Sequence, residues 1–181
     1  MALLDMAQQY LGQNEVSQIS QHLGVDPALA QTAISAALPM IVAGLARHAS
    51  NPQGADAVQQ AATAHQDAAD NVGSVLQAGP PADVGATGGL LGRIFGPHGD
   101  TVQQGVQQAS GLDPEKAKKL LMMLSPVVLG VIARHQFGGQ QATRSDPGQL
   151  AGALQQEAQV AQRQSPQVGG LLGQLFGGAR G

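Results

Sequence analysis

The sequence predicts an all-α protein: two tandem-duplicated small helical domains with helix-turn-helix-like starts and Pro-interrupted buried helices. Three observations predict it. Of 181 residues, 29 are alanine, 26 glutamine and 25 glycine, a mixture that favours helix and leaves few β-branched or aromatic residues for strands. Apolar residues recur at helical spacing behind Asp-Pro and Asn-Pro pairs, which suit helix cap and first-turn positions. The chain also repeats itself. A shift of 87 positions lays Gly24-Val25-Asp26-Pro27 on Gly111-Leu112-Asp113-Pro114, Pro39 on Pro126, and Ala46-Arg47-His48 on Ala133-Arg134-His135, without a gap.

The first unit spans 1–78. Val16, Ile19 and Leu23 place one helix before Gly24, a residue suited to end it. Asp26 then caps a second helix and Pro27 takes its first position, where a missing N–H costs nothing. Pro39 predicts a kink or a break about three turns later. Residues 40–46 are apolar all round, as in a buried helix, and Gly44 within them suggests a close neighbour. Arg47 and His48 end that helix, where cations complement the exposed carbonyls. Asn51-Pro52 opens a further helix, its apolar face drawn from residues 55–77.

A Gly/Pro-rich linker is expected at 79–89, and the second unit at 90–168. There Gly111, Asp113 and Pro114 repeat the turn and cap, Pro126 repeats the interruption, and Arg134-His135 repeat the basic end. Gly130 matches Gly44 in kind. A polar loop at 136–147 precedes a weaker helix over 148–164, opened by Asp146-Pro147. Residues 169–181 form a Gly-rich apolar tail. Its Leu171-Leu172-Gly173-Gln174-Leu175-Phe176 echoes Leu90-Leu91-Gly92-Arg93-Ile94-Phe95, so three Leu-Leu starts, at 3–4, 90–91 and 171–172, accompany two cores.

Charge and chemistry narrow the function. Nine basic and twelve acidic residues give a net charge of −3, with no basic excess for a phosphate backbone. The chain has no cysteine, which removes disulfides, thiolate metal sites and cysteine nucleophiles. The N-terminus shows no basic, apolar leader, so a cytoplasmic location is expected. The five histidines form no i, i+4 ligand pair; His48 and His135 could be imagined as paired metal ligands, but dipole complementation accounts for both. Asp26 and Asp113 read as caps rather than catalytic carboxylates. No phosphate loop, nucleophile elbow or Ser/His/Asp set is present.

Three ways of acting remain. Contact with protein, including homo-oligomeric self-assembly, is the leading expectation, with Leu171, Leu172, Leu175 and Phe176 as its candidate residues. A peripheral membrane or envelope-associated role would use the two apolar helices, although each apolar run is shorter than the roughly 20 residues of a span. Nucleic-acid binding would have to use the Lys116–Lys119 face, because residues 27–38 hold no basic side chain. No enzyme activity, small-molecule substrate or cofactor is expected.

The Ala2-Leu3-Leu4-Asp5 opening, the Gly-Val-Asp-Pro turn, the Leu38–His48 helix segment and the Gly-Leu-Leu-Gly ending resemble the bacterial domain-of-unknown-function family 937, which includes YidB-like proteins. The resemblance covers most of the chain. It implies a bacterial, all-helical, intracellular protein with no catalytic residues to carry over.

Overall fold

Two apolar helices organise the molecule, and every other element covers them. The computed structural model describes residues 3–79, 90–137 and 147–164. In chain order these form α1 (Leu3–Tyr10), α2 (Gln13–Leu23), α3 (Pro27–His48), α4 (Pro52–Ala64), a 3₁₀ turn (Gln66–Ala69) and α5 (Val72–Gln77). Then follow α6 (Leu90–Phe95), a second 3₁₀ turn (Gly96–His98), α7 (Gly99–Ser110), α8 (Pro114–Phe137) and α9 (Pro147–Gln164). No strand occurs among the described residues, so the fold is all-α.

Local chemistry sets the boundaries. Gly24 ends α2 with φ +63°, its N–H bonded to the Gln21 carbonyl and that of Val25 to Ser20. This left-handed closure satisfies the last carbonyls at no steric cost, since glycine has no Cβ. Gly111 does the same for α7, at φ +72°. Both long helices begin on the expected prolines, and neither breaks at its internal one. Pro39 lies inside an uninterrupted α3 and Pro126 inside an uninterrupted α8. Tight burial on all sides holds each helix across the missing hydrogen bond, because Leu38, Pro39, Met40, Leu124 and Ser125 are all shut from solvent. The Ser125 hydroxyl donates to the Leu121 carbonyl, so this buried polar group is satisfied.

Two expectations about elements need correction. The helix drawn across 55–77 stops at Ala64 and resumes at Val72. Between them the backbone tightens into i−3 bonds, Ala68 N–H to the His65 carbonyl and Asp70 N–H to the Asp67 carbonyl, and the Asn71 side-chain amide also donates to the Asp67 carbonyl, a local bond of the kind that competes with helix. The Leu-Leu starts at 3–4 and 90–91, read only as a motif in sequence, begin the short helices α1 and α6.

The buried residues form one cluster drawn from both halves. α3 packs on α7 and α9 from the second half, while α8 packs on α4 and the 66–69 turn from the first. The Leu-Leu helices cross as well: α1 lies chiefly on α8, and α6 on α4 and α3. Glycines allow these crossings. A Cβ at Gly44 would sit 2.8 Å from the Phe95 ring of α6 and 2.7 Å from Val102 of α7. One at Gly130 would sit 2.6 Å from the Ala69 nitrogen and 2.8 Å from the His65 carbonyl. The close neighbours expected at both glycines are therefore present, and each comes from the opposite half. The linker expected at 79–89 and the tail at 169–181 lie almost wholly outside the described residues, as does most of the loop at 136–147.

Candidate functional site

Asp26 stands at the N-cap of α3 in an extended conformation, with Pro27 at the first helical position and the Ala30 N–H bonded to the Asp26 carbonyl. Its side chain makes no capping hydrogen bond. The backbone of Asp113 plays the same part, receiving the Ala117 N–H at 2.9 Å, with Pro114 beginning α8. The Asp113 carboxylate instead lies 3.7 Å from Lys116. A shallow recess of about 430 Å³ runs beside the α2–α3 turn, lined by Ser20, Gln21, Gly24, Val25, Asp26 and Pro27. Its polar, open walls hold no set of converging reactive groups.

Of the three lysines in the Lys116–Lys119 segment, Lys119 is exposed. Lys116 leans on Asp113, Glu115 is exposed beside it, and Lys118 is half-buried. Ala117 and Leu120 on the other side are fully buried. Among the described residues, α3 alone is long and apolar enough to cross a membrane, and most of it is buried inside the protein.

The two Arg-His helix ends, alike in sequence, differ in their surroundings. Arg134 reaches across to Asp70 and pairs with its carboxylate, joining α8 to the segment after the first 3₁₀ turn. Its neighbour His135 is exposed. Arg47 and His48 meet no carboxylate: among the described residues the Arg47 guanidinium has neither ion-pair nor hydrogen-bond partner. The 3₁₀ turn that follows α6 and carries His98 packs on this end of α3.

The His48 ring is held between two backbones. A Cβ at Gly96 would lie 2.7 Å from its Nδ1 and Cε1, and one at Gly54, in the first turn of α4, 3.2 Å from its Cγ. Gly96 has φ +54°, a conformation other residues rarely adopt. Burial lowers the His48 pKa below the usual imidazole value. Burial also lowers that of His98, and repulsion from Arg47 and His48 adds to the shift. His98 was only one of five histidines in the sequence. Its place near this helix end depends on α6 folding back onto α3, which no local pattern announces.

No group of three or more metal-ligating side chains occurs among the described residues. The candidate association residues Leu171, Leu172, Leu175 and Phe176 lie outside them. The family model described as "Bacterial protein of unknown function (DUF937)" matches residues 5–135. No curated protein and no solved structure matches the chain.

Proposed function

Since the chain belongs to this family of bacterial proteins of unknown function, we propose that it is a non-enzymatic cytoplasmic protein acting through protein–protein contact, including contact with its own copies. One observation carries this reading. Each Leu-Leu helix within the described residues seats on the long apolar helix of the opposite half, α1 on α8 and α6 against α3. The matching order α1-α2-α3 and α6-α7-α8, with 87 positions between Gly24 and Gly111, supports an internal duplication whose copies are intertwined.

Leu171, Leu172, Leu175 and Phe176 are a third copy of that seating segment. α8 and α3 already hold α1 and α6 in every copy, so in self-assembly the third segment takes the place of α1 or α6 on a long helix of another molecule. Such a contact is heterologous, and repeated it yields rings or open filaments. Light scattering across a wide concentration range tests the proposal on the full chain and on a chain ending at Val168. The full chain should be larger than a monomer and the shortened one monomeric. Monomers in both would reject self-association, and Leu172→Asp with Phe176→Asp should reproduce the truncation.

A further inference from the structure

We propose that the face along which the two halves of the chain pair also pairs the halves of two molecules. The partner it fits is a second copy of this chain, exchanging residues 3–79 against residues 90–164. This exchange does not use the tail segment and stands apart from the contacts proposed for it.

The packing between the halves has the pattern of a two-fold dimer interface. In order along the chain, α1, α2, α3 and α4 correspond to α6, α7, α8 and α9. α3 packs on α9 as α8 packs on α4, α3 on α7 as α8 on α2, and α6 on α3 as α1 on α8. The contacts of α3 with α8 and of α4 with α9 are their own counterparts. Each patch therefore meets the equivalent of itself, which defines the isologous pairing of identical subunits. The packing of the 66–69 turn on α8 has no counterpart among the described residues.

Differences between the halves make unlike halves the partners. Gly105 of α7 lies against Met40 of α3, where an added Cβ would come within 3.1 Å of the Met40 sulfur. The residue 87 positions earlier is Gln18, too large for that place, so the α2 of another first half cannot stand in for α7. Arg134 of the second half likewise pairs with Asp70 of the first. Two exchanged molecules then contain two complete units, each built from residues 3–79 of one copy and 90–164 of the other.

Because each unit keeps the contacts of the single molecule, concentration decides between the two arrangements. Linkage in one chain gives the halves an effective concentration on the order of 1 mM. Below it a refolding chain pairs its own halves; near and above it, halves of two chains meet as readily. Passing from one arrangement to the other means opening the shared core, so native molecules keep the partners with which they folded.

Asp70 and Arg134 provide the test, because they touch across the halves and are both about half exposed. The chain has no cysteine, so a full-length Asp70→Cys/Arg134→Cys variant carries one reactive pair. It is unfolded in urea, refolded at about 1 µM or about 2 mM, on either side of the effective concentration. Both samples are then brought to the same low concentration and treated with a short bis-maleimide. Dilute refolding should give bridges within single chains. Concentrated refolding should put about a third or more of the chains into bridged pairs of doubled mass, with none in either single-cysteine variant. Tail-mediated assembly leaves the 70–134 bridge inside one chain, so its success or failure does not alter this result. Bridges within single chains at both concentrations would overturn the proposal, as would pairs formed equally by the single-cysteine variants. Full-length chains carrying Leu172→Asp and Phe176→Asp, bearing two different affinity tags, give an independent measurement. Refolded together at about 2 mM and diluted, they should co-purify; mixed without unfolding, they should stay separate. The same behaviour in both mixtures, whether joined or separate, would reject exchange of halves. Circular dichroism checks that each refolded sample is helical.

Discussion

Glycines at the crossings matter because their missing side chains are replaced by another element's atoms. At Gly130 those atoms are backbone, so Gly130→Ala must push α8 away from the 66–69 turn. A destabilisation of about 1–3 kcal/mol is expected, measured by urea unfolding. Gly96→Ala combines a left-handed backbone with a clash on the His48 ring, and should cost about 1–2 kcal/mol while shifting the His48 NMR signals. The ion pair between Arg134 and Asp70 is about half exposed on both sides, so Asp70→Asn should cost no more than about 1 kcal/mol. Histidine titration has a definite sign. His48, His65 and His98 all have folded pKa values below 6.5, chiefly through burial. The unfolded chain then takes up protons first, so their contribution is complete above about pH 6.5 and is lost as the pH falls below it. Urea midpoints should fall between about pH 7 and pH 5.5.

Helices, more than residues, show what the sequence can and cannot reveal. Asp-Pro starts, glycine ends and the apolar stretches around Pro39 and Pro126 depend on neighbours a few residues apart, and they place α2, α3, α7 and α8 closely. The 65–71 interruption combines the local bond of the Asn71 amide with the packing of α8 on the turn, and the second is invisible to any local pattern. α6 is only six residues long, too short to hold itself together, so its helix rests on tertiary packing. Phe95 supplies much of that packing: it is fully buried, with its ring against Gly44 of α3. Phe95→Ala should cost about 3–5 kcal/mol. It should also release Gly96 from the His48 ring, because the 3₁₀ turn follows α6 directly. The surroundings of His48 were legible only in part for this reason: Arg47 and His48 stand out as a helix end, but Gly96 reaches the His48 ring through long-range packing.

At the scale of the molecule, the halves exchange covering helices, so neither long helix is enclosed by its own half alone. Calorimetry should show one unfolding transition, with calorimetric and van't Hoff enthalpies equal. Two resolved transitions would mean that the halves are energetically independent. Cleavage within 80–89 should likewise leave the two fragments associated under native conditions, since the shared core survives the cut. The crossing also imposes an order in time. α3 is complete at residue 48, but α7 and α9, which cover it, end at residues 110 and 164. Ribosomes add roughly 5–20 residues each second. The most apolar of the described helices therefore waits several seconds during synthesis before its last covering helix exists, so the native core can close only once residue 164 has been made.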